Sequence, residues 1–146
     1  MIDLSAAART RDNGPPMELE IRKIKEVLAP FSPAVAYLFG SQARERSRPD
    51  SDVDIAFVPG RQCDPFDVFE AAQRLAAAIG RSVDLVDLSR ASAVMKAEVL
   101  RTGRRLFVHD ERGTQEFEMY ALSDYARTNE ERRIVLERFE AKHRAK

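Results

Sequence analysis

Two aspartates, Asp52 and Asp54, stand two residues apart at the head of an apolar run that ends at Val58, and they follow the pair Gly40-Ser41 by about a dozen residues. A strand has a side-chain period of two, so both carboxylates project to one side while Val53, Ile55 and Phe57 project to the other. Like charges this close repel each other, and the arrangement is costly unless a cation neutralises it. The pair therefore predicts a bound divalent cation. Asp84, set mid-strand in the run Ser82 to Leu88, is the candidate third acid. Alternation puts it on the face of Val86 and Leu88, opposite Val83 and Leu85, and it meets the first two acids if its strand pairs beside theirs. Transfer of a nucleotide from a triphosphate needs one metal to neutralise the phosphates and a second metal, or a base, to activate the attacking hydroxyl. Three acids are enough for that.

Gly40 and Ser41 supply the other half of such a site. A glycine lets backbone and ligand come close, and the free N–H groups at the start of the next helix attract phosphate. Ser41 adds a hydroxyl. Arg44 lies on the same helical face and can pair with a phosphate through two N–H groups.

The elements that must hold these residues follow from periodicity and punctuation. Residues 1–16, which include Asn13-Gly-Pro-Pro16, show no period and are expected to form a flexible leader. A helix is predicted from Met17 to the prolines at 30 and 33, then a buried strand over Val35 to Phe39 and a short helix over Ser41 to Arg46. The second strand is Asp52 to Val58. Asp64-Pro65 opens a helix that Gly80 closes, Ser82 to Leu88 is the third strand, and Ser92 caps a helix ending at Gly103. Leu106 to Val108 is a fourth strand. From Glu111 the chain reads as one long helix or two, with a break expected near Thr128-Asn129. The fold class is α/β (α+β): a small mixed sheet with helices mainly on one face. The domain division is a leader over 1–16, a core over 17–110 and a helical extension over 111–146.

Composition narrows the function further. At 146 residues, 44% hydrophobic and 33% charged, the chain is one ordinary globular domain. Its formal net charge is zero, so nothing in the overall balance calls for nucleic acid or an anionic membrane as a direct ligand. Cys63 is the single cysteine, which excludes an internal disulfide and fits a reducing, cytoplasmic setting. No apolar run is long enough to span a membrane, and no signal-peptide pattern is present.

Several residues read more simply as structure. Asp87, at the end of the third strand, suits a turn. Ser51 also suits a turn. His109 and His143 are expected at the surface, and Cys63 in a loop as an incidental thiol. Phe117, Tyr120, Tyr125 and Phe139 have near-helical spacing and are expected to pack, with docking of a partner helix as the alternative.

The segments Gly40-Ser41-Gln-Ala43-Arg44, Ser51-Asp52-Val-Asp54-Ile55 and Val83-Asp84-Leu-Val-Asp-Leu88 together resemble the minimal nucleotidyltransferases of the DNA polymerase β superfamily, and among them the MNT-type antitoxins. The resemblance covers Met17 to Val108. It implies a polymerase β-type core, with Asp52 and Asp54 binding Mg²⁺, Asp84 helping to hold the second metal or activating the acceptor hydroxyl, and Gly40 and Ser41 holding the triphosphate. It further implies transfer of AMP from ATP to a tyrosine hydroxyl of a HEPN-type ribonuclease toxin, a protein partner. The chain itself lacks the Arg-x4-His-x-Tyr pattern of the nuclease half. Two other readings stay open: an antitoxin that acts by binding and occlusion alone, and a nucleotidyltransferase acting on a small molecule. With no substrate domain appended, the second of these would have little dedicated surface.

Overall fold

The structure, a computed structural model, describes residues 17–40 and 52–144. The expected leader and the short helix over Ser41 to Arg46 lie outside the described residues. In chain order the elements are α1 (Met17–Leu28), a 3-10 turn (Ala29–Phe31), β1 (Val35–Phe39), β2 (Val53–Val58), α2 (Pro65–Ile79), β3 (Val83–Asp87), α3 (Ala93–Thr102), β4 (Arg104–Val108) and α4 (Glu111–Arg144). The helices begin and end on the local signals. Asp64 Oδ1 accepts from the Phe66 N–H at 2.9 Å and Ser92 Oγ from the Met95 N–H at 3.1 Å. Gly80 closes α2 in the left-handed conformation.

The four strands lie in the order β3-β2-β1-β4. β1 runs antiparallel to both β2 and β4, whereas β2 and β3 are parallel, joined by the α2 crossover. The sheet is thus mixed. Its larger core joins Ala36, Leu38, Val53, Ile55 and Phe57 to Ile24 and Leu28 of α1 and to Val68, Ala71 and Leu75 of α2. The helices, expected mainly on one face, are divided, with α1 and α2 on this side. The second face also carries helices, because Val35, Tyr37, Phe39 and Ala56 are apolar there too and meet Val99 of α3 and Phe117 of α4. At the strand ends on this face, Asp52 and Asp84 are exposed and Asp54 is half-buried.

The break expected near Thr128-Asn129 is absent: α4 is one helix. Threonine and asparagine keep their N–H groups and cost only tenths of a kcal/mol in a helix. Ion pairs on either side, Arg127 with Asp124 and Arg133 with Glu130 and Glu137, reinforce the turns around them. Among the described residues no helix is long and apolar enough to cross a membrane.

Candidate active site

Asp54 sits near the start of β2, where its neighbour in β1 is Phe39 and its neighbour in β3 is Asp84. Registered residues on adjacent strands face the same way from backbones about 4.8 Å apart. Asp84 therefore rises beside Asp54 and not across the sheet. Asp52 immediately precedes β2, held close by the Val53 N–H bond to the Ser82 carbonyl at 2.9 Å. Asp52 and Asp84 are exposed, and Asp54 is half-buried between them. Burial raises the proton affinity of the Asp54 carboxyl above the ordinary carboxylate range, and the charges of Asp84 and then Asp52 push the same way. The charges of both neighbours thus act on the Asp54 carboxyl. Among the described residues nothing positive enters that balance, so these acids hold negative charge that a cation would relieve.

Gly40, at the end of β1, makes room for this. Its φ is +73°, and a Cβ there would lie 2.1 Å from Asp54 Oδ2. The close approach expected between glycine and a ligand is in the first instance an approach to Asp54 itself. Any side chain at position 40 would displace the central carboxylate as well as strain the backbone. Ser41 and Arg44 lie outside the described residues.

The oxygen donor set suits a hard cation. Among the described residues, however, no three acidic, histidine or cysteine side chains close around a single centre. Such an open arrangement fits an ion that keeps waters and shares substrate phosphates, as Mg²⁺ does, better than an ion in an all-protein cage.

Sequence reasoning missed one polar cluster on the same face of the sheet. Tyr37 in β1 is 2% exposed and donates its hydroxyl to Glu118 Oε2 of α4 at 2.6 Å. Arg105 of β4 grips the same carboxylate through Nε at 3.2 Å and a terminal nitrogen at 3.0 Å. Burial, and after it the carboxylate that the hydroxyl donates to, hold the Tyr37 phenol protonated far above the ordinary tyrosine range. A tyrosine inside a buried strand signals that its hydroxyl needs a partner. Which partner could not be read, because Glu118 is 81 residues away.

The remaining residues behave as structure. Asp87 Oδ1 accepts from both the backbone and the hydroxyl of Ser89, forming the expected turn. Cys63 is buried, and burial pushes its thiol above the ordinary range. His109 is exposed, with its ring 4.9 Å from that of Phe107.

Residues 22–112 match the family described as Polymerase beta, Nucleotidyltransferase. The chain belongs to that family. The matched nucleotidyltransferase segment contains Gly40, Asp52, Asp54 and Asp84 and ends at the start of α4. The chain is 35% identical over 105 residues to the protein adenylyltransferase MntA of Shewanella oneidensis, an overlap of 69% of this chain and 72% of that protein. Among solved structures it resembles a chain of a toxin-antitoxin complex with AMP-PNP, with a TM-score of 0.71, 31% identity, and coverage of 82% of this chain and 98% of the other. It also resembles a chain in the complex of the tri-AMPylated Shewanella oneidensis HEPN toxin with MNT antitoxin, with a TM-score of 0.68, 30% identity, and coverage of 85% and 98%.

Proposed function

We propose that this nucleotidyltransferase is a cytoplasmic, Mg²⁺-dependent protein adenylyltransferase, the antitoxin that transfers AMP from ATP to a tyrosine hydroxyl of a HEPN-type ribonuclease toxin. The observation that carries the reading is the register of Asp84 on Asp54, with Asp52 adjacent and Gly40 packed against the central carboxylate. The likeness to MntA and to the AMPylated toxin complex supports the choice of nucleotide and acceptor. Asp52 and Asp54 would hold Mg²⁺, and Asp84 would complete the set or take the acceptor side. Bound there, the ion would neutralise the phosphates and stabilise charge as the leaving group departs. The protein's share is positioning. Gly40 and Ser41 hold the triphosphate and Arg44 pairs with its oxygens, while the acids orient the phenol and receive its proton. The phenol oxygen bonds to the α-phosphorus, the α–β bridging bond breaks, and pyrophosphate leaves.

The test is incubation of the protein with labelled ATP, Mg²⁺ and a purified HEPN-type toxin. Label is expected on the toxin, falling at least about 100-fold for Asp52→Asn or Asp54→Asn. An unlabelled toxin, or equal labelling by the variants, defeats the proposal. The occlusion reading draws on the exposed apolar side chains of α4, including Val135 and Phe139. It requires the same Asp→Asn variants to protect cells as well as the wild type does.

A further inference from the structure

The path of α4 can be followed by its contacts. Thr114 Oγ1 donates to the Ala34 carbonyl, just before β1, and Glu118 takes the hydroxyl of Tyr37 in the middle of β1. One turn later Leu122 lines a cavity of about 270 Å³ with Gly103, whose missing Cβ would meet the Leu38 carbonyl oxygen and Phe39 Cβ. From Ala34 through Tyr37 to Phe39 the helix climbs towards the strand ends that carry Gly40, Asp54 and Asp84. It then continues to Arg144, an overhang of roughly 25–30 Å at 1.5 Å per residue.

The overhang repeats the face by which the helix is anchored. Thr114, Phe117, Ala121 and Tyr125 form the stripe that packs on the sheet and α3. At 100° per residue that stripe runs on through Arg132, Val135, Leu136 and Phe139. There the side chains are open to solvent: Val135 is 63%, Leu136 53% and Phe139 56% exposed. Arg132, central on the stripe, forms no ion pair among the described residues.

We propose that the distal part of α4 is a docking arm for the acceptor protein, seating one of its α-helices on Val135, Leu136 and Phe139, with an acidic side chain opposite Arg132. This rests on the function proposed above and names the surface that function needs. A helix is the fitting occupant because the stripe keeps the spacing by which α4 already packs on α3. The acceptor is preferred to a second copy of this chain because the arm leaves the sheet on the side of the strand ends that carry Asp54 and Asp84, where an acceptor must present its hydroxyl. An acceptor seated there is brought to them.

The experiment uses the full-length protein and, as probe, a purified HEPN-type toxin. Binding is measured by titration calorimetry, and transfer by labelling at varied toxin and ATP. The variants are the pair Val135→Asp/Phe139→Asp and the single Arg132→Glu. Because these side chains are exposed, circular dichroism and Tm stay at wild-type values. The double variant is expected to raise the Kd for the probe at least tenfold and to raise KM for the toxin but not for ATP, with a smaller rise for Arg132→Glu. Wild-type Kd and KM in both variants overturn the proposal. So does a wild-type dimer in solution that the double variant splits while toxin affinity is retained. Failure of the enzymatic reading has a different signature: binding that depends on the arm, without label transfer.

Discussion

Among the described residues Asp54 has two other carboxylates acting on it and no positive side chain to offset them, and this has a measurable consequence. Its carboxyl is held above the ordinary range, so in the window between the unfolded and folded values the folded protein keeps a proton that the unfolded chain releases. This contribution favours the fold at the acid end of the window and is lost as pH rises through the folded value. At neutral pH the buried charge therefore opposes folding. In the presence of a chelator, Asp54→Asn should be more stable than the wild type at pH 7, and the two should converge near pH 3. Thermal melts across that range check it, and a variant less stable than wild type at pH 7 would mean that the charge is already compensated. On the proposed function, activity and metal-free stability pull in opposite directions at this residue.

Among the elements, the clasp of Tyr37, Glu118 and Arg105 ties α4 to the sheet. Tyr37→Phe removes one hydrogen bond but leaves Glu118 gripped by Arg105, at a cost of about 0.5–1.5 kcal/mol. Glu118→Ala leaves a buried hydroxyl without its acceptor and an arginine without its main partner. It should cost more, about 2–3 kcal/mol. Urea unfolding of the two variants measures both. Equal costs would mean that the Tyr37 hydroxyl finds another acceptor when Glu118 is gone. Because α4 continues towards the strand ends that bear the acids, loosening the clasp should also weaken toxin binding more than it weakens ATP binding.

Across the fold, the acids and Gly40 come from the start of β2, the start of β3 and the end of β1. A ligand held by all three segments binds only when the sheet is formed, so binding adds directly to global stability. Mg²⁺ with a non-hydrolysable ATP analogue, at about 100 times its Kd, should stabilise the wild type by about 2.7 kcal/mol. Asp52→Asn and Asp54→Asn should lose most of that gain. Melts with and without ligand measure it, and an undiminished shift in the variants would place the nucleotide away from these acids.

What could be read before folding was what depends on neighbours a few residues apart. The period of two placed Asp52 and Asp54 on one side of a strand, and Asp64, Ser92 and Gly80 marked helix ends through contacts within a single turn. The hydrophobic stripe of α4 was also visible. Local propensity misjudged only its continuity at Thr128-Asn129, where ion pairs on adjacent turns support the helix. The register that sets Asp84 beside Asp54, the fit of Gly40 against that carboxylate, the Tyr37–Glu118 bond and the course of α4 past the edge that bears the acids all needed the folded chain. Each joins residues far apart in sequence, and such pairings are chosen by the packing of two cores at once. No window of a dozen residues contains that sum.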